Sequence, residues 1–196
     1  MGEEHNSDSS DDHVSPNEVK STNMQCPSKE KMAVQRKSIQ DGEGKLDVPE
    51  TIRITAIELA TDIVYYVSGV RKGKAPSKHA STLRRTVQEM HIKHEILYKG
   101  MMNKLQITEN SAYPVFTNVS NEIFRDNQIN WGRLVSVFAF GAKIAKYLCE
   151  NNNQQCHTRM LNKLAKFLGN YVAEKLGGWI SEQGGWVGFA ILLLYP

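Results

Sequence analysis

The sequence predicts an all-α protein in which one apolar helix is wrapped by amphipathic ones. Three observations predict it. After Pro49, apolar residues recur at intervals of three and four through most of the chain, the spacing that lines one face of a helix. No stretch of useful length alternates apolar with polar residues, and no internal repeat is present. The segment 131–149 is apolar around most of its circumference, as expected of a buried central helix rather than a surface one.

The elements follow in order. Residues 1–48 are rich in Ser, Asp, Glu, Lys and Gln and poor in large apolar side chains, a composition that cannot offset the entropy of ordering. They are expected to form a disordered acidic tail, with residues 49–196 as one helical domain. The first helix is expected from just after Pro49 to about Val70, its inward face marked by Ala56, Leu59, Ala60, Ile63, Val64 and Val67. Residues 71–78 hold Gly73, Pro76 and several lysines and read as a solvated loop. The second helix is expected to start between Ser77 and Ser81. Leu83, Val87, Met90, His94, Leu97 and Met101 form a single stripe along it, with Gly100 the expected point of a break or bend.

A helix over 115–125 turns Phe116, Val119 and Ile123 inward. The central helix follows, with Asn130 placed as its N-cap. Residues 151–155 read as a polar loop. Met160, Leu161, Leu164, Phe167, Leu168, Tyr171 and Val172 describe a last amphipathic helix. The Gly177-Gly178 pair is expected to end it, leaving short segments around Trp179 and Trp186.

Composition narrows the function. The net charge of +3 conceals an asymmetry: residues 1–50 carry six Lys/Arg against eleven Asp/Glu, and the rest carry 18 against 10. A basic body is attracted to anionic lipid headgroups or acidic partner segments. The basic residues are dispersed and accompany no nucleic-acid motif, so no nucleic-acid partner is expected. Cys26, Cys149 and Cys156 lack metal-ligand spacing, and so odd and sparse a set suits a reducing compartment. Residues 1–30 hold no secretory apolar run. The longest apolar stretch, 186–195, is about half the ~20 residues needed to span a bilayer. Catalytic signatures are missing too: there is no phosphate loop, no nucleophile elbow and no cysteine–histidine pairing. His91 and His94 stand in an order that fits neither zinc-protease arrangement. No enzyme, no cofactor, no metal and no small-molecule substrate is expected.

Asn130-Trp131-Gly132-Arg133, at the head of the apolar segment, resembles the first homology motif of the Bcl apoptosis-regulator family. The approach to it, Asn121-Glu122-Ile123-Phe124-Arg125-Asp126, is similar to the family's acidic-aromatic lead-in. Trp179-Ile180-Ser181-Glu182-Gln183-Gly184-Gly185-Trp186 resembles its second motif. The resemblance covers roughly residues 51–189. Over 83–140 it looks most like the Mcl-type survival proteins, with Leu83-Arg84-Arg85 and Gly100-Met101 in matching places.

The resemblance implies a Bcl-like bundle with a surface groove that binds amphipathic death-motif helices of pro-apoptotic relatives; the family is a standing example of helix-in-groove recognition. The expected groove residues are Met90, His94, Leu97, Met101, Val119, Ile123, Val137 and Phe140. Arg133 is expected to grip a partner carboxylate through two hydrogen bonds. Gly132 lets a ligand backbone approach, Asn130 bonds the ligand as well as capping, and Asp126 pairs with a basic residue on the incoming helix.

The third motif departs from the pattern. Where the family has a small residue and then Asp, Leu83 is followed by Val87 and Gln88, so the chain is expected to be a poor ligand for its relatives. That favours an anti-apoptotic role over the alternatives, a pore-forming executioner of the same fold or a helical adaptor without an apoptotic role. The implied location is cytoplasmic, with association at the mitochondrial outer membrane and peripheral contact with its surface. Relatives often end in a membrane-spanning helix, and this sequence stops at Pro196 without one.

Overall fold

The computed structural model describes residues 48–151 and 158–189; the expected acidic tail, the 151–155 loop and the end of the 186–195 stretch lie almost wholly outside them. Six helices follow in order: α1 (Glu50–Val67), α2 (Lys78–Lys93), α3 (Glu95–Leu105), α4 (Ala112–Ile123), α5 (Trp131–Asn151) and α6 (Thr158–Glu182). No strand occurs among the described residues, so the all-α expectation holds.

The centre is α5, whose burial takes in Leu134, Val135, Val137, Phe138, Phe140 and Ile144. Helices α1, α2, α4 and α6 pack on it, and α1 also runs against α6. That second contact is close. A Cβ on Gly169 would come within 2.6 Å of the Ile57 Cα, so the absent side chain sets the spacing of the two helices. Helix α6 continues through Gly177-Gly178 where the sequence reading ended it. The first glycine serves packing instead: a Cβ at Gly177 would lie 2.6 Å from a methyl of Val48. The chain turns only at Gly184 and Gly185, both with positive φ, and a short helical turn over 186–189 returns Trp186 and Phe189 to the core. There Trp131 meets the Trp179 ring edge-on at 4.8 Å between centroids, and the Trp186 indole N–H donates to the Ile52 carbonyl at 3.2 Å. All three tryptophans are buried, as their size favours.

The second expected helix is two helices. It breaks at His94, whose φ of −117° and ψ of 29° are not helical, and Gly100 lies inside α3. The Ser77 hydroxyl caps α2 by accepting the Ala80 N–H at 3.1 Å.

An ion cluster in the α1–α2 interface was not anticipated. Asp62 is 1% exposed on the apolar face of α1. It accepts from Arg84 Nε at 2.8 Å and Nη2 at 2.7 Å, and from Arg71 Nη1 at 3.0 Å. Arg84 also donates to the Gly73 carbonyl at 2.7 Å and covers the Tyr66 ring at 4.2 Å, which satisfies a guanidinium taken out of water. Asp62 holds the Arg84 pKa above its ordinary value. A second departure concerns Cys149, which is disulfide-bonded, whereas the odd, sparse cysteine set suits a reducing compartment.

Candidate functional site: a groove headed by Arg133

The head of α5 is fixed before the helix begins. Phe124 and Ile129 are buried at either end of the connection from α4. Between them Asn127 adopts a left-handed conformation with φ of 56°, which asparagine tolerates better than most residues. The Asp126 carboxylate accepts the Gln128 N–H at 3.1 Å, and Asn130 Oδ1 accepts the Arg133 N–H at 2.9 Å. The expected N-cap is therefore in place.

Arg133 sits in the first turn of α5, where a cation faces the positive end of the helix dipole. Its guanidinium turns back onto the loop that precedes it. Nη2 donates to Asp126 Oδ2 at 2.7 Å, Nη1 pairs with the other carboxylate oxygen, and Nη1 also donates to the Gln128 carbonyl at 2.8 Å. This two-point pairing, with the Gln128 N–H second, holds the Asp126 carboxyl down at about 2; Asp126 in turn raises the Arg133 pKa. Both side chains remain partly open to solvent, at 54% and 31% exposure. Beside them Gly132 is exposed, and a Cβ there would meet only the Asn130 side chain, at 3.3 Å.

The apolar part of the site is divided among three helices. Met90 on α2, Met101 on α3 and Val119 and Ile123 on α4 are half-buried against the core, and Leu97 on α3 is 60% exposed. Helix α3 and helix α4 each rest on α5.

Three expected groove residues are placed differently. Val137 and Phe140 are 0% and 2% exposed; they belong to the core because α5 is covered on nearly all sides, and Phe140 stacks on Phe116 at 6.2 Å. His94 is exposed at the α2–α3 break, because the break takes it off the apolar stripe. The half-buried histidine is His91. Its Nε2–H donates to the Ala139 carbonyl at 2.9 Å and its ring meets Tyr98 edge-on at 4.8 Å. Burial, and then the nearby charges of Lys143 and Lys146, push its pKa below the ordinary value.

The site thus joins a central apolar helix, an arginine held at that helix's exposed head and half-covered apolar residues on the helices around it. Residues 83–186 match the family described as apoptosis regulator proteins, Bcl-2 family. Bcl-2-like protein 1 of Homo sapiens is 33% identical over 110 residues, which is 56% of this chain and 45% of that protein. The chain thus spans less than half the length of that relative. The crystal structure of the zebra-fish pro-survival protein NRZ, without ligand, is similar with a TM-score of 0.67 and 25% identity, covering 78% of this chain and all of that one. The complex of NRZ with a Bad BH3 segment gives 0.68 and 26%, covering 76% and 99%. The chain belongs to the Bcl-2 family of apoptosis regulators.

Proposed function

We propose that this protein is a survival factor that sequesters amphipathic death-motif helices of pro-apoptotic relatives, acting by binding rather than catalysis. The observation that carries the reading is the head of α5: Arg133 is already oriented by Asp126 and Gln128 beside the exposed Gly132. An incoming helix with a carboxylate at the matching position exchanges places with Asp126. Its apolar residues seat against Met90, Leu97, Met101, Val119 and Ile123, and the two methionines adapt to different ligands. Asn130 keeps its amide N–H groups for the ligand while its oxygen caps the helix, and the displaced Asp126 faces a basic residue of the ligand.

The chain's own third motif supports the binder's role over the ligand's. Leu83 and Val87 are fully buried, and Gln88 supplies no carboxylate for a relative's arginine. The similar NRZ, described as pro-survival and crystallised with a Bad BH3 segment, points the same way. This reading places the protein in the cytoplasm and, through its partners, at the mitochondrial outer membrane. No described helix is long and apolar enough to cross a membrane.

Calorimetric titration of the full chain with a panel of death-motif peptides, for wild type and Arg133→Ala, tests the proposal. Nanomolar binding that collapses in the variant is expected. Wild-type protein that is folded and binds none of the peptides would end the survival reading.

A further inference from the structure

A second concavity lies on the other side of α2 from Met90. It is bounded by the end of α1, the following segment 69–73, α2 and the middle of α5, and its volume is about 440 Å³, within the ~300–1,000 Å³ usual for small-ligand sites. Arg71, Lys72, His91, Lys143 and Lys146 all line it, and no Asp or Glu does.

The local acids do not balance these charges. Asp62 serves both Arg71 and Arg84, so one carboxylate answers two guanidiniums. Lys146 has only the exposed Glu150, at 3.7 Å. Among the described residues Lys72 and Lys143 have no ion-pair partner. Four side chains charged at neutral pH therefore converge from one helix, α5, and the loop after α1 on one concavity, where their fields add. Burial first, and then the charges of Lys143 and Lys146, disfavour protonation of His91 beside them. Gln88 adds an uncharged amide to the lining.

We propose that this cavity binds a phosphate-bearing anion, as a free phosphate compound or as the headgroup of an anionic lipid. A compact, multiply charged anion can meet cations arriving from several directions, and its oxygens match both the guanidinium fork and the lysine ammonium groups. An extended acidic helix would spread its carboxylates beyond so small a recess. The rim suits a bilayer surface as well: Ile92 lines the opening at 77% exposure, and Val70, 47% exposed, lies within the loop. The groove and the cavity share α2 but use different faces of it, so occupancy of one leaves the other open.

The test uses the full chain, as wild type and as the Lys143→Gln/Lys146→Gln double variant. Inorganic pyrophosphate is titrated calorimetrically, and co-sedimentation is measured with phosphatidylcholine vesicles with and without phosphatidylinositol bisphosphate. The expected result is binding to at least one probe that falls about tenfold or more in the variant, as loss of charge-assisted contacts requires. Circular dichroism and death-motif peptide binding stay unchanged. Saturation also raises the His91 titration midpoint, read from its ring proton by NMR. Pyrophosphate binding assigns a soluble anion, and binding to the charged vesicles alone assigns a lipid headgroup. The proposal is overturned by no binding to either probe, by binding that the variant retains, or by a preference for polyglutamate over both.

Discussion

Arg133 and Asp126 stand seven residues apart and close on one another across the turn that leads into α5, with the guanidinium anchored on the carbonyl of Gln128 between them. The side chain that the proposed function assigns to a partner's carboxylate already holds one. Under the proposed function binding is an exchange of carboxylates, and the resting protein avoids an unpaired cation at a helix N-terminus.

Arg133→Ala is expected to weaken death-motif binding by about 2–5 kcal/mol, the usual cost of removing one member of a desolvated charge pair. The exposed side chain contributes little to the fold, so the melting temperature should hardly move. Asp126→Asn should act in the opposite sense for peptides that lack a basic residue at the facing position, since their carboxylate then meets no competitor. Calorimetry on the two variants checks both statements.

The same pair fixes a titration. Asp126 has its pKa lowered to about 2, so its contribution to stability is present above its ordinary value and is lost as pH falls through the folded value. Carbon-detected NMR should place the Asp126 midpoint near 2 in the wild type. In Arg133→Ala it should move toward the ordinary carboxylate value of about 3.9. A midpoint that stays put would mean the Gln128 N–H, rather than the arginine, governs it.

His91 makes stability pH-dependent in a different window. Its pKa is lowered, so the fold prefers the neutral ring. That stability is fully present above the unfolded value of about 6.5 and is lost as pH falls through the folded one. The melting temperature should decline on acidification below that point. His91→Gln, which keeps an N–H donor for the Ala139 carbonyl, should flatten the decline.

Asp62→Asn strands Arg84 in the α1–α2 interface and should cost about 3–5 kcal/mol, as breaking a buried ion pair does. For a domain of this size that corresponds to a melting temperature lower by about 10 °C. Replacing the pair together, as Asp62→Leu with Arg84→Met, should recover much of the loss. Differential scanning calorimetry separates the two outcomes.

Gly169→Ala should destabilise by about 1–3 kcal/mol or more, because the new methyl meets the Ile57 Cα rather than a movable side-chain end. Urea denaturation measures it, with Gly100→Ala as a control; a Cβ there meets nothing within 4 Å.

The central helix, its asparagine cap and the amphipathic helices around it were legible because each follows from local pattern. What was missed needed three dimensions. The stripe through Leu83, Val87, Met90, His94, Leu97 and Met101 coincides with the buried face of α2 at Leu83 and Val87, and on α3 runs one position off the buried Tyr98 and Met102. The first half of that stripe packs inward and the rest skirts the groove, so a single period merged two faces. Asp62 does carry a local signal: an acid among Leu59, Ala60, Ile63 and Val64 calls for a buried cation, which Arg84 supplies. The continuation of α6 through Gly177-Gly178 had no such signal. The packing of Val48 on Gly177 joins residues far apart in sequence.

The break at His94 has a consequence for motion. Severed from α2, helix α3 buries only Tyr98 and Met102, with Met101 and Leu105 partly covered, whereas α1, α5 and α6 each bury an extended face. Segments with few buried contacts open more readily than the core that supports them. Amide hydrogens along α3 should accordingly exchange with solvent long before those of α5. Under the proposed function, α3 is then the side of the site expected to yield to an incoming helix while the rest of the molecule stays folded.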